Sequence, residues 1–266
     1  GVSVEYGKLT MRDNAEISNN SAANIGGGVF LLNSAFTMEG GVIKNNTNGT
    51  KGGAGGGIYA EVRSTVILKS GAEVSGNTAA GISVSNKSTL TLEAGCKITG
   101  NNLGDTNAGG AGGVYITDES TLIMLGGEIT NNNAGMAGGG GVKLYWDSTF
   151  IMKGGRIAEN IANGSGSYGT GGGVNLQAGS SFTMEGGVIE KNTGKYGGGL
   201  YIIDQTRTIR FTITGGTIYG SDAPDGRGNT AREANGGHAL HYASYGGIPA
   251  TVIDTTITKD NYPPQS

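Results

Sequence analysis

The sequence is poor in proline, cysteine, histidine, aromatic residues and charged residues. It has 4 Pro, 1 Cys and 2 His among 266 residues, with 6% aromatic and 15% charged residues. So little proline without a strict Gly-X-Y period excludes collagen, and the single Cys96 excludes an internal disulfide framework. No apolar run reaches the ~20 residues of a membrane helix, and the net charge of −3 lacks the basic surface that binds nucleic acid. We expect neither nucleic-acid binding nor membrane insertion by this segment.

What the chain has in excess is glycine, with 54 residues, about three times ordinary usage. Glycine in a helix interior costs ~1 kcal/mol relative to alanine, so a helical fold is not expected. Simple disorder is not expected either, because Val, Ile, Leu, Phe and Met recur at fixed places. The chain starts at Gly1 without a recognisable signal peptide and reads as a strand at once, so we expect further domains of a larger parent chain.

An internal repeat dominates the sequence. Each copy has a Phe/Leu/Val-x-Met/Leu stretch followed by Ile/Val-x-x-Asn, as in residues 36–46. A Gly-Gly-Gly-Val-x-Leu stretch comes next, and residues 55–60 are a variant of it. The repeats are anchored by seven asparagines, Asn20, Asn46, Asn77, Asn101, Asn132, Asn160 and Asn192. An eighth copy has Ser221 where the asparagine is expected.

The repeat predicts an all-β right-handed parallel β-helix, a solenoid of about eight to nine coils. Each copy holds three short apolar stretches with period-2 alternation, which indicates strands with one buried face. One coil cannot bury its own apolar face, but stacked coils share a continuous core, and parallel crossovers are right-handed in nearly all proteins. We expect regular coils over 1–205, an irregular C-terminal cap over 206–261, and a Pro-rich tail or linker start over 262–266.

Two inward columns and one turn column follow from this register. Glycine and asparagine are expected at the bends because they adopt positive φ at low cost, and the stacked asparagines are expected to bond as a ladder. The predicted core columns are Val29, Ile58, Ile82, Val114, Val142, Val174 and Leu200, and Met11, Met38, Leu68, Leu92, Met124, Met152 and Met184.

An outward column beside the Gly-rich stretch is rich in aromatic residues. Exposed rings there could form a platform on which a sugar or a peptide stacks. The candidate ligand-binding residues are Tyr59, Tyr115, Tyr145, Trp146 and Tyr201. The alternative is a ladder of strand-favouring side chains that merely shields the sheet.

The irregular region after Ile218 provides an alternative site, and its residues are Asp222, Asp225, His238 and His241. The competing interpretation is a cap, because terminal repeats of solenoids must close an open edge.

Acidic residues also recur after the Val-x-Leu strand, at Asp118, Glu119, Asp147 and Asp204. No basic residue recurs beside them, so we interpret them as solvated turn residues. The sequence shows no metal-ligand spacing, no phosphate-binding loop and no catalytic triad, and we predict no catalytic residue, metal or cofactor.

A second outward column has Thr-x-Thr character and runs along the strand that carries the methionines. It contains Thr10, Thr37, Ile67, Thr91, Ile123, Ile151, Thr183 and Thr212. Such a flat threonine face resembles the ice-binding face of antifreeze proteins, but the isoleucines interrupt it. Ice binding is therefore the remote alternative.

The string Ser-x-Phe-x-Met-x-Gly-Gly-x-Ile-x-x-Asn, followed by Gly-Gly-Gly-Val, resembles the repeats of bacterial surface proteins with pectate-lyase-like β-helices. Adhesin-like, autotransporter-like and polymorphic outer-membrane proteins carry similar repeats. The resemblance covers Gly1 to about Gly220 and transfers no catalytic residue. It implies an extracellular stalk or adhesive module at the cell surface. We expect an adhesin-like or structural module that presents loops and exposed aromatic residues to a glycan or a host surface protein. The competing function is a carbohydrate-active enzyme, a polysaccharide lyase or hydrolase, with its site in the C-terminal irregular coil.

Overall fold

The backbone forms short strands that stack coil on coil into three long sheets. This is seen in a computed structural model that describes residues 1–49, 55–104, 109–162, 164, 170–204, 207–244, 251–253 and 255–258. Helix in this part of the chain is limited to the 3-10 turn Pro224–Gly226. The predicted all-β parallel solenoid is confirmed.

Each coil contributes one strand to each sheet. Sheet A contains Val2–Glu5, Val29–Leu32, Ile58–Glu61, Ile82–Val84, Val114–Ile116, Val142–Leu144, Val174–Gln177, Leu200–Asp204, Leu240–Ser244 and Thr251–Ile253. Sheet B contains Lys8–Met11, Ala35–Met38, Thr65–Leu68, Thr89–Leu92, Thr121–Met124, Thr149–Met152, Ser181–Met184 and Arg210–Ile213. Sheet C contains Glu16–Ser18, Gly41–Lys44, Ala72–Ser75, Lys97–Thr99, Glu128–Thr130, Arg156–Ala158, Val188–Glu190, Thr217–Ile218 and Ile257–Thr258.

A fourth, shorter column of pairing follows the ladder asparagines and was not predicted. Its strands are Ser21–Ala22, Thr47–Asn48, Ile161–Ala162, Thr193–Gly194 and Thr230–Ala231. Between them, single bridges link Thr47, Thr78, Asn102, Asn133 and Ile161 in successive coils. One or two residues are too few to show an alternating apolar pattern, which is why the sequence did not reveal them.

The C-terminal end differs from the rest in strand direction. Thr251–Ile253 pairs antiparallel with Leu240–Ser244, and Ile257–Thr258 pairs antiparallel with Thr217–Ile218. These strands cover the last parallel strands of sheets A and C, where unpaired backbone would otherwise be open. The boundary at residue 205 stays a prediction, and the tail at 262–266 lies outside the described residues.

The interior is a continuous apolar tube. All fourteen residues predicted to face inward are buried, so this prediction is confirmed. Phenylalanines add a third inward column, in which the rings of Phe150 and Phe182 stack with their centroids 4.6 Å apart. Equivalent side chains therefore pack on one another along the axis in every sheet.

The asparagine ladder is also confirmed. Asn132 is representative: its Oδ1 accepts hydrogen bonds from the backbone N and the Nδ2 of Asn101, at 3.0 and 2.9 Å. Its Nδ2 donates to Ile98 O and to Asn160 Oδ1, both at 3.0 Å. The ladder does not end at Asn192, because Asn192 Nδ2 donates to Asn229 Oδ1 at 2.9 Å.

Two expectations about the ladder were wrong. The eighth rung is Asn229 rather than Ser221, because an insertion places the asparagine eight residues later in the chain. The eight asparagines enclose seven complete turns with partial turns at both ends, slightly fewer than predicted. No ladder asparagine has a positive φ; the residue before each of the first seven does, as in Asn131 (φ 56°) and Glu159 (φ 59°).

The last glycine of each Gly-rich stretch serves close packing rather than a special bend. A Cβ on Gly141 would lie 2.7 Å from Gly173 O, 2.9 Å from Ile157 Cγ2 and 3.0 Å from Asn160 Nδ2. Real Cβ atoms are not found so close to backbone oxygen. The glycine column is therefore required because sheet A passes directly over the asparagine ladder.

A second ladder, of serines, fixes the turn between sheets A and B. The backbone N of Ser34 donates to Ser64 Oγ at 3.0 Å, that of Ser64 to Ser88 Oγ at 2.9 Å, and that of Ser88 to Ser120 Oγ at 3.1 Å. All four serines are buried. The serine two residues before each Phe/Val/Leu-x-Met/Leu stretch was the sequence signal for this ladder.

Cys96 lies buried in the core, and burial raises the pKa of its thiol to about 11. Because the thiolate is the reactive form, we expect a disulfide reagent such as DTNB to leave native Cys96 unmodified at pH 8. In denaturant, one thiol per chain should react within minutes. Rapid reaction of the native protein would show that this part of the core opens.

Candidate ligand-binding groove

The turn from sheet A to sheet B has the same backbone in four successive coils. Each turn holds two consecutive residues with positive φ between 47° and 63°, and all eight side chains are exposed. The pairs are Val62–Arg63, Asn86–Lys87, Asp118–Glu119 and Trp146–Asp147. This conformation is costly for non-glycine residues, and it is an outlier for a β-branched residue such as Val62. Side chains kept at strained positions favour a functional interpretation of this edge.

These turns form a groove along the solenoid axis, which we call the A–B groove. One section, of about 480 Å³, is lined by Val62, Arg63, Asn86, Lys87, Asp118 and Glu119. A second section, of about 280 Å³, is lined by Tyr6, Gly7, Lys8, Asn33, Ser34, Ala35, Arg63 and Thr65. Arg63 lines both sections, so they meet.

Exposed rings lie at both ends of this edge. Tyr6 in the first coil is 75% exposed, and Trp146 in the sixth is 43% exposed. With coils ~4.8 Å apart, the edge from Tyr6 to Trp146 is about 24 Å long. The groove is therefore long, narrow and open, which suits an extended ligand better than a compact one.

The charges of the groove are mixed. Lys87 Nζ lies 3.4 Å from Glu119 Oε2, and Arg207 Nη1 pairs with Asp147 Oδ2. The expectation that no basic residue accompanies these acids was wrong for Glu119 and Asp147. Lys87 lies one coil from Glu119 and Arg207 two coils from Asp147, and the chain order separates each pair. In the described part of the chain, Arg63 and Asp118 have no ion-pair partner, so both remain available to a ligand.

The predicted aromatic residues fall into different environments. The rings of Tyr145 and Trp146 meet edge to face at 5.1 Å, and the guanidinium of Arg207 lies 5.2 Å from the Trp146 ring centre. Tyr59 and Tyr115 are half-buried behind the groove; Tyr59 OH lies 3.3 Å from Glu61 Oε2, and burial raises the pKa of Tyr115 to about 12.

Tyr201 does not belong to an exposed aromatic platform, contrary to the prediction. It is only 6% exposed, because it stacks on His241 of the next coil with the ring centres 5.5 Å apart. The groove adds Tyr6, Arg63, Asn86 and Lys87, which sequence reasoning missed. For Arg63 and Lys87 the signal was the polar residue or glycine directly before each buried serine.

The alternative C-terminal residues do not share a site. Asp222 Oδ1 accepts hydrogen bonds from the N and Oγ1 of Thr256 at 2.6 and 2.8 Å, which lower the pKa of Asp222. Asp225 is exposed in the 3-10 turn. His238 Nδ1 lies 3.2 Å from Asn229 O, and His241 lies on the outer face of sheet A.

Three further features concern metal binding, membrane-spanning helices and the outer face of sheet B. Within the described ranges, no cluster of three or more His, Cys, Asp or Glu side chains could hold a metal ion. In those ranges, no helix is long and apolar enough to cross a membrane. On sheet B the predicted Thr/Ile column lies in register over eight strands, from Thr10 to Thr212.

Comparison with known proteins gives one match. The family described as right handed beta helix region matches residues 51–257, which is most of the chain. No curated protein and no solved structure matches it. The parallel sheets, the stacked core and this match agree, and the chain belongs to the right-handed β-helix family.

Proposed function

We propose that this chain is a binding module that holds an extended glycan along the A–B groove, as part of an adhesin-like protein at the cell surface. The observation that carries the proposal is the groove over the turns of the first five coils. The exposed ring of Tyr6 lines its first section, and the exposed ring of Trp146 lies on the next turn beyond its second section. Aromatic faces pack on the apolar faces of sugar rings. Charged and amide side chains such as Arg63, Asn86 and Asp118 supply the hydrogen bonds that orient hydroxyl groups.

The repeat of the groove supports a glycan over an extended peptide. Equivalent turn residues recur every ~4.8 Å along the axis, whereas an extended peptide advances ~3.3 Å per residue. A pyranose unit in an extended chain has nearly the length of one coil. Successive sugars would therefore meet successive turns in the same way, which a peptide would not.

The contacts of the acidic side chains favour a binding role over the competing carbohydrate-active enzyme. Glu119 and Asp147 are engaged in ion pairs, and Asp222 is bonded to Thr256. General acid–base chemistry on a glycosidic bond needs two carboxyl groups facing each other across the substrate. At the C-terminal end, Asp222 is instead bonded to Thr256, and His238 Nδ1 lies against Asn229 O.

The single tryptophan of the chain makes binding measurable. We expect oligosaccharides that hit on a glycan array to change the fluorescence of Trp146 in a saturable titration. Arg63→Ala and Tyr6→Ala should weaken the affinity by about tenfold, that is ~1.4 kcal/mol. The matched control is Leu125→Ala, since the side chain of Leu125 is also exposed but lies at the turn between sheets B and C.

The outcome that rejects the proposal is equal affinity for all three variants, or an array without a hit. A reducing-end assay on the same mixtures tests the enzyme: turnover that disappears in Asp222→Asn would favour the C-terminal site. Binding of a host protein without any glycan hit would favour the peptide class of partner. Antibody labelling of intact cells tests surface display.

A further inference from the structure

The outer face of sheet A carries a row of buried polar side chains. In register along successive strands lie Ser83, Tyr115, Lys143, Asn175 and Tyr201. Ser83 Oγ and Asn175 Oδ1 are enclosed and have no hydrogen-bond partner. Unsatisfied polar atoms are rare inside proteins because each costs free energy, so two of them in one row point to a role beyond packing.

Lys143 is the reactive member of this row. It is only 8% exposed, and its Nζ lies 5.8 Å from the ring centre of Tyr115 and 5.7 Å from that of Tyr145. Among the described residues, no carboxylate and no hydrogen-bond acceptor pairs with this amine. Five other lysines differ in this respect, because each is in an ion pair: Lys44, Lys69, Lys87, Lys153 and Lys195.

We propose that Lys143 is a covalent modification site, an amine that condenses with small aldehydes in the slot between Tyr115 and Tyr145. The lone pair of Nζ adds to the carbonyl carbon to form a carbinolamine. Loss of water, which carries away the carbonyl oxygen and two protons from the nitrogen, leaves an imine. Gly109 lies beside the amine, since a Cβ placed there would lie 3.7 Å from Nζ, in van der Waals contact. Because Lys143 is buried between the two rings and this glycine, we expect only small aldehydes to reach it.

The protonation state of the amine supports this chemistry. Burial lowers the pKa of Lys143 to about 8. Among the residues that the structure describes, the titratable groups that face it are the phenols of Tyr115 and Tyr145. About half of the amine is therefore neutral at pH 8, against less than about 1% for a lysine of ordinary pKa, ~10.4. Only the neutral amine attacks a carbonyl carbon.

The test uses the unaltered protein. Glycolaldehyde is added at pH 8 with cyanoborohydride, which reduces the imine to a stable secondary amine, and peptide mass spectrometry then measures the extent at each lysine. We expect Lys143 to be modified at least tenfold faster than the ion-paired Lys153. The rate at Lys143 itself should fall as the pH is lowered from 8 to 6, because less of its amine is then neutral.

A second variant checks the geometry. Gly109→Val should slow the reaction at Lys143 and leave Lys153 unchanged, and unfolding in urea should equalise the two lysines. Reaction of Lys143 at or below the rate of Lys153 in the native protein would overturn the proposal. Because this readout needs no glycan, its failure leaves the proposed function of the A–B groove unaffected.

Discussion

Replacing Asn132 by alanine is expected to destabilise the protein by about 3–5 kcal/mol, as at any fully enclosed rung of the ladder. The amide of Asn132 is fully buried and links Asn101, Ile98 and Asn160. Its removal leaves the backbone N and the Nδ2 of Asn101 and the carbonyl of Ile98 without these partners. Each such group costs about 1–3 kcal/mol when water cannot reach it. Urea unfolding followed by circular dichroism measures the loss.

The first rung of the same ladder is the matched control. Asn20 Nδ2 donates to Asn46 Oδ1 at 2.9 Å, but Asn20 is only half-buried and no earlier rung depends on it. Asn20→Ala should therefore cost about 1 kcal/mol, because water replaces most of what is lost. Equal effects at the two positions would contradict the idea that the ladder stabilises the solenoid through enclosed amides.

Glu190→Gln is expected to cost about 2 kcal/mol and to loosen the segment between sheet C and the last ladder rung. Glu190 is buried, and its two oxygens accept hydrogen bonds from Arg156 Nε at 2.7 Å and Arg227 Nε at 2.5 Å. Removing one member of a buried ion pair leaves charges uncompensated; the effect is moderated here because both guanidinium groups reach solvent. Thermal unfolding and hydrogen exchange over 219–229 measure the two effects.

The pH dependence of stability follows from the same carboxyl group. Burial by itself raises the pKa of Glu190, but the hydrogen bonds from Arg156 and Arg227 outweigh it and hold the pKa below its usual range. The stabilisation is thus present above the unfolded-state pKa of glutamate, about 4.3, and is lost as the pH falls through the lower native pKa. We expect this part of the acid destabilisation to be missing in Glu190→Gln.

Glu39 provides the control with the same arrangement at the surface. It bridges Arg12 at 2.8 Å and Lys69 at 3.3 Å, across three coils. Because exposed ion pairs contribute little, Glu39→Gln should leave the unfolding midpoint nearly unchanged. A large effect at Glu39, or none at Glu190, would show that burial does not decide the strength of these bridges.

Much of the fold could be predicted because the repeat places the same residue type at the same place in each coil. Met38 and Val29 could be assigned to the core by alternation alone, and Asn132 to a ladder by its spacing. Asn229 could not be found in this way, because the insertion before it breaks the spacing. The sequence could not show that Asn131 rather than Asn132 adopts a positive φ, since both are asparagines.

The sequence by itself determined the coil, its core and its ladders, since local alternation and spacing are written along the chain. Only the tertiary structure decided which turn residues share a groove, because Tyr6, Arg63 and Trp146 are brought to one edge by stacking. It also decided exposure: Tyr59, Lys143 and Tyr201 are equivalent in the repeat, but how deeply each is buried depends on the rings and loops packed over it. Burial of an outward side chain is set by neighbours distant in the chain, and these leave no local pattern.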